Sequence, residues 1–474
     1  MFRVRHRGKG DGGSTLSSSL RNGNQLPRML GPFDAAALVI SNVIGIGIFT
    51  TPGLVAQLVP HPLLMLGLWL LGGGLALVGA SAYSELAALR PRAGGEYVYL
   101  HQAFGSLPAF LSGWTSFAAG FSGAIAAGAV GFAAYLSHYI PRAGDTRPLL
   151  SIPLFLGTLE VSSRSIVALS CIALLSAIHL CGLAPGRIVQ NTLAGLQVLA
   201  LLLLIVLGFS LGHGSIKHFA VFSGTAKPFG LLLALVPVMF TYSGWNAAAY
   251  VAEEIREPSQ NVPRALALGT CGVTVLYVLL NSVYIYAAPT TELSRSINTG
   301  ELAARALLGE RATSVITPVI LVALAGAISA MILAGPRVYF AMARDGLFPI
   351  PLGRVHPRFQ TPVAAILAQA IWSGVLVISG TFDQILLFTG FAVVLFSGIA
   401  VLSVFVLRWK LRNEPRRVRA WGFPWLPAIF VAVSLAMVVN AFRQQPKPSA
   451  AGVLVIAAGL PVYWWFVRQV SQGH

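Results

Sequence analysis

The chain has 474 residues, 56% hydrophobic and only 10% charged. An average soluble domain is about 25% charged, so lipid is the better solvent for this much apolar surface. The net charge of +17 is dispersed in short basic clusters between apolar runs, with no single stripe of interleaved aromatics; this excludes nucleic acid as the natural partner and fits loop charges that orient a protein in a bilayer.

Residues 1–30 are polar, basic and rich in Gly and Ser, carry no cleavable signal sequence, and read as a disordered cytoplasmic tail. A spanning helix needs roughly 20 mostly apolar residues. Twelve candidates follow: 33–59, 62–89, 104–139, 164–184, 188–212, 228–252, 263–288, 312–343, 361–380, 383–407, 422–442 and 450–468. The third and eighth exceed what a bilayer requires and read as tilted or projecting. An even count puts both termini on one side. The tail, the even-numbered loops and the C-terminus hold most of the 32 Lys and Arg, including Arg408, Lys410, Arg412, Arg416, Arg417 and Arg419, so both termini are expected in the cytoplasm, with the chain in the cell membrane.

Span one contains Ser41-Asn42-Val43-Ile44-Gly45-Ile46-Gly47-Ile48-Phe49-Thr50-Thr51-Pro52-Gly53. Two central glycines followed by Pro-Gly weaken a helix. A break at 45–47 would give the second half free N–H groups and a positive dipole end, suited to a carboxylate; close helix packing through small residues is the plainer alternative. Asp34, Glu85, Glu253 and Glu254 fall near span ends, within reach of water or headgroups. Span four carries His179, read as a hydrogen-bonded packing residue. Cys171, Cys181 and Cys271 lie in apolar runs without a CxxC pair, which indicates packing rather than a metal site or a disulfide framework. Span six is interrupted by Phe240-Thr241-Tyr242-Ser243-Gly244-Trp245-Asn246; a break there would offer carbonyls to an ammonium group. Broken helices five spans apart are what two inverted five-helix repeats would produce. The near absence of acids deep in the spans argues against a dedicated arginine or polyamine site.

These residues resemble the amino acid–polyamine–organocation (APC) superfamily of transporters, and within it the L-type branch. The similarity runs from about Gly31 to Phe442. It includes Val43 to Phe49, Tyr83-Ser84-Glu85-Leu86, Pro91 to Leu100, Ala103-Phe104-Gly105, Phe240 to Arg264, Arg337, Ala343-Arg344-Asp345-Gly346 and Thr361-Pro362-Val363. The resemblance implies an all-α integral membrane protein of the leucine-transporter fold. Its parts would be the tail (1–30), a first inverted repeat (31–212), a second (213–410), and two further helices with the C-terminus (411–474).

It further implies a central substrate site. The amides of Gly45, Ile46 and Gly47 would receive a carboxylate, and the carbonyls of Val43, Phe240 and Ser243 an amino group. Phe240 would be the outer gate, and Asn246 would brace helix six. Gln197 stands where many relatives have lysine; with Ser329 it is a candidate for a cation or water site, so the coupling is open between symport, antiport and uniport. Ser243, where glycine is common, should narrow the pocket. Gly94 to Tyr97 would form a cytoplasmic loop, and Glu253, Glu254 and Arg256 an ion-pair network with Arg92 or Arg337. The outer loop from about Tyr139 to Ser163 lacks the cysteine that bonds a partner glycoprotein in animal L-type carriers, so no disulfide-linked heavy chain is expected; a homodimer is left open. The bacterial inner membrane is the natural setting.

The expected function is a secondary permease for neutral amino acids working by alternating access, with no cofactor, metal or catalytic residue. The alternatives are a cationic amino acid or polyamine carrier, or a membrane amino acid sensor without flux. A channel is a further possibility. A membrane enzyme ranks last, since no deep His/Asp/Glu cluster or GxxxxGK[ST] stretch occurs.

Overall fold

A computed structural model describes residues 25–471, apart from 155–156, 211, 222–227, 297, 310–311, 381 and 445. Apart from a short hairpin, the described chain is helical. Its helices are α1 (Pro32–Val43), α2 (Gly47–Leu58), α3 (Pro62–Leu89), α4 (Glu96–Phe104), α5 (Ser106–Thr115), α6 (Phe121–Leu136), α7 (Ser163–Leu180), α8 (Leu183–Ser210), α9 (Pro228–Thr241), α10 (Ala247–Tyr250), α11 (Pro258–Ala287), α12 (Thr290–Leu293), α13 (Thr299–Leu308), α14 (Ala312–Arg344), α15 (Val363–Ile378), α16 (Phe382–Lys410), α17 (Trp425–Gln444), α18 (Pro446–Ala457) and α19 (Gly459–Ser471). A π-helical turn, Ser116–Gly120, joins α5 to α6 in the predicted third span.

Nine described helical segments are long and apolar enough to cross a membrane, and the bent pair α1–α2 makes a tenth. Two shorter apolar helices, Gly230–Thr241 and Val363–Ile378, fall at the sixth and ninth predicted spans. The protein is an all-α, multi-pass membrane protein.

The core forms where small residues let helices approach. α3 lies along α11, and α1 passes between α8, α11 and α14. At Gly73 of α3 a Cβ would collide with the Thr274 side chain of α11. Trp69 packs edge-on against Tyr277 and tilted against Tyr242, with ring centroids 5.7 and 6.0 Å away. All three rings are fully buried.

Three expectations need correction. Residues 25–30 belong to the fold rather than to a loose tail: Leu26 and Leu30 are buried, Leu30 pairs with Ile255, and the Leu26 amide donates to Glu253. Residues 1–24 lie outside the described residues.

Glu254 and Glu85 are not solvated span ends; both are buried. Glu254 forms a two-bonded pair with the equally buried Arg337, at 2.7 and 3.0 Å. Glu85 is held by Arg408, Arg416 and the Ala420 amide. A carboxylate near a span end escapes water when another segment folds over it, and burial then demands a partner. The neighbouring pairs are Arg344–Glu253 and Arg92–Asp345, each at 2.9 Å. Arg92 therefore pairs with Asp345, and no ion pair of Arg256 occurs among the described residues.

The loop after α6 contains strands β1 (Pro148–Leu154) and β2 (Gly157–Ser162), an antiparallel pair that the sequence reading did not anticipate. The run Leu149-Leu150-Ser151-Ile152-Pro153-Leu154 shows no clean alternation and carries a proline, a pattern too weak to separate a strand from a loop.

Candidate functional site

The first helix break follows from residues 44–46. α1 ends at Val43, Ile44 turns extended at φ −75° and ψ 96°, and α2 restarts at Gly47, with 50° between the two axes. Among the described hydrogen bonds, none is donated by the amides of Gly45, Ile46 or Gly47. These amides stand at the N-terminal, positive end of α2. The loose carbonyls of α1 are occupied: Tyr277 donates its hydroxyl to Val43 O at 2.8 Å, and Gln197 donates Nε2 to Ile44 O at 3.2 Å.

The second break lies between α9 and α10. Gly244 adopts φ +103°, and a Cβ on it would lie 2.7 Å from Asn42 O, so glycine alone suits both the backbone and the contact. The two breaks therefore touch through Asn42 and Gly244. Thr241 adds a second link, donating to Thr51 Oγ1 at 2.9 Å or to Pro237 O at the same distance. The Phe240 carbonyl accepts from the Ser243 amide at 3.0 Å.

A cavity of about 160 Å³ opens beside this contact, lined by Asn42, Glu96, Phe240, Ser243, Gly244, Asn246, Tyr250 and Ser397 among mainly apolar neighbours. A cavity of about 150 Å³ accommodates a benzene molecule, so the space suits a small solute. The structure thus brings Phe240, Ser243 and Asn246 together on one wall. Val43, Gly45, Ile46 and Gly47 adjoin the break without lining that wall. Phe240 is 38% exposed and lies against Gly390 of α16.

Asn246 donates Nδ2 to Glu96 Oε1 at 2.8 Å and to Tyr250 Oη at 3.1 Å. Tyr83 at 2.6 Å and Ser397 at 3.1 Å donate to the same carboxylate oxygen. Glu96 was expected in a cytoplasmic loop. It is instead buried, and it is the one charged residue among the described residues lining the cavity. Gly94 and Gly95 precede it with φ of +114° and +51°, turning the chain so that α4 starts inside the bundle. Those glycines gave the segment its loop-like appearance. Tyr277 was also missed, although a tyrosine near the centre of an apolar span is a legible signal.

Gln197 and Ser329 share no described hydrogen bond, although both lie along α14. Gln197 donates to Ile44 O and, at 2.8 Å, to Ala323 O, and accepts from Ser41. Ser329 sits 3.0 Å from His179 Nε2. Among the described residues no group of His, Cys, Asp and Glu has the arrangement of a metal site.

Residues 30–467 match the family model described as amino acid permease. The chain is similar to large neutral amino acids transporter small subunit 2 of Homo sapiens, with 28% identity over 97% of this chain and 84% of the relative. It is similar to the serine/threonine exchanger SteT of Bacillus subtilis (strain 168), with 27% identity over 95% and 99% of the two chains. It is also similar to b(0,+)-type amino acid transporter 1 of Mus musculus, with 27% identity over 96% and 91%. A multi-pass helical bundle with two helix breaks meeting at a cavity, and a family match over nearly its whole length, establish that this chain belongs to the amino acid permease family of the APC superfamily and is an amino acid transporter.

Proposed function

We propose that the protein carries neutral amino acids by alternating access, as a secondary transporter in the cell membrane of a bacterium with both termini in the cytoplasm. One observation carries this reading: two interrupted helices touch at Asn42 and Gly244 beside a cavity lined by Phe240, Ser243 and Asn246. The substrate carboxylate is received by the amides of Gly45, Ile46 and Gly47, which have no described acceptor. Its ammonium group meets carbonyls at the second break, with Ser243 O preferred, since Val43 O and Phe240 O already accept hydrogen bonds. Phe240 covers the site and Asn246 braces the broken helix. Helix ends supply this recognition because their peptide dipoles are fixed and unpaired.

Residues 31–212 and 213–410 form the two inverted repeats, followed by two further helices and the C-terminus (411–474). The chain works without a disulfide-linked partner, since residues 139–163 contain no cysteine; a homodimer is compatible with this. Gln197 occupies carbonyls that a coupling cation would need, so transport does not use a cation bound there, and Ser329 serves packing.

A second reading, transport of cationic amino acids, is favoured by Glu96. Deep carboxylates are not absent after all, because the buried Glu96 lines the cavity. Uptake by the purified chain in proteoliposomes, with a panel of labelled neutral and cationic amino acids, tests both. Saturable uptake of neutral amino acids, accelerated by substrate inside, supports the first. Preference for lysine or arginine supports the second. Binding without flux overturns both in favour of a sensor.

A further inference from the structure

Glu96 joins four parts of the bundle through one oxygen. Tyr83 reaches it from α3, Asn246 from the second helix break and Ser397 from α16, while its own backbone starts α4. It lines the cavity; Tyr83, Asn246 and Ser397 donate to Oε1, and the Tyr250 hydroxyl is a further donor to the same carboxylate.

No described Lys, Arg or His pairs with it. The titratable groups facing it are phenols: Tyr83 from α3, Tyr250 from α10 and Tyr99 from its own helix. Cations on the packed elements are engaged elsewhere. On α14, Arg337 binds Glu254 and Arg344 binds Glu253; on α16, Arg408 binds Glu85 and Lys410 binds Ala103 O. Structural carboxylates in this protein are thus matched by arginines, and the one on the cavity wall is not.

We propose that Glu96 binds a proton together with the substrate, making the transporter a proton–amino acid symporter. The proposal rests on the carrier reading above and adds its driving ion. When the cavity holds water, Glu96 is a carboxylate supported by the donors of Tyr83, Asn246, Tyr250 and Ser397. A substrate that fills the cavity removes the water next to Oε2 and leaves the charge in a dry site, which costs free energy. Adding one proton to form the neutral carboxyl removes that cost. The proton comes from the solution on the loading side, and on release it returns to solution on the other side as the carboxylate reforms. The hydroxyl and amide donors around Glu96 favour its charged form, whereas a dry occupant favours the neutral one, so the balance is open to tuning by an occupant. The linkage is reciprocal: the proton tightens substrate binding as much as substrate tightens proton binding.

A substrate ammonium could match the same carboxylate. The proton is the better match, because neutral donors already hold the carboxylate in place and the rest of the described wall is neutral and largely apolar.

The test uses the full chain in proteoliposomes containing a pH-sensitive dye, with labelled L-alanine, L-serine, L-threonine, L-leucine and L-lysine as probes. The expected result is accumulation of a neutral amino acid driven by an acid-outside gradient, with one proton entering per substrate. In detergent, the Kd should rise about tenfold per pH unit above the midpoint of the empty carrier. Glu96→Gln should abolish the proton flux and flatten the pH dependence of binding. Ser397→Ala removes a donor that favours the charged form, so it should move the midpoint to higher pH, a shift that a merely structural role would not give. Neutral uptake without proton flux, or wild-type binding that ignores pH, overturns the proposal while leaving the carrier reading intact. Loss of lysine uptake alone in Glu96→Gln, with no proton flux for any probe, overturns it in favour of a cation subsite. Absence of uptake for every probe overturns both.

Discussion

The hydroxyl of Tyr277 lies 2.8 Å from the carbonyl of Val43, the last residue of α1, and 3.4 Å from the carbonyl of Thr241, the last residue of α9. One side chain on α11 thereby serves the loose ends of both broken helices. Tyr277 is fully buried, so water does not compete for these carbonyls. Tyr277→Phe keeps the ring and removes the link. A buried hydrogen bond contributes about 1 kcal/mol net, so substrate affinity should fall about fivefold, with a lower thermal midpoint. Affinity and melting of the purified variant check this.

Gly47 opens α2 directly beside Thr241. A Cβ there would lie 3.1 Å from Thr241 Cγ2, and a larger side chain must displace the threonine or the helix. Gly47→Leu should abolish substrate binding while the protein still inserts and runs as a single species. Normal affinity in this variant would remove the first helix break from the site.

Gly244→Ala combines a positive φ with a contact 2.7 Å from Asn42 O. The expected destabilisation is about 1–3 kcal/mol, with loss of uptake. Thermal unfolding together with transport assays separates this from a defect of expression.

Arg337 and Glu254 are both fully buried, so removal of one leaves the other charged in the interior. Arg337→Met should cost about 3–5 kcal/mol, and adding Glu254→Leu should recover most of it. A double variant no more stable than the single one would contradict the pairing as the reason for the loss.

Gln197→Lys supplies a charge where an amide now donates to Ile44 O and Ala323 O and accepts from Ser41. Lysine can replace the donors but cannot accept from Ser41. Uptake should weaken and acquire a new pH or salt dependence; wild-type kinetics at every pH would contradict a role for these hydrogen bonds in holding the first helix break.

Both helix breaks were legible because local chemistry makes them: paired glycines at 45 and 47, and Ser-Gly-Trp-Asn at 243–246, weaken a helix whatever surrounds it. Glu96, Tyr83 and Ser397 were not legible as a group, because only the folded bundle brings positions 13 and 301 residues from Glu96 to one oxygen. Glu85 and Glu254 were misread for a related reason. Their place near span ends suggests solvent, yet the segments that bury them come from Arg408 to Ala420 and from α14. Local sequence carries propensity, whereas burial is a tertiary property.

The most direct test of the central claim is an experimental structure with a transported neutral amino acid bound. Its carboxylate should lie within hydrogen-bond distance of the Gly45–Gly47 amides and its ammonium group at the carbonyls of the second break, beneath Phe240. A bound amino acid that touches neither break, or two helices running unbroken through 45–47 and 242–246, would contradict it.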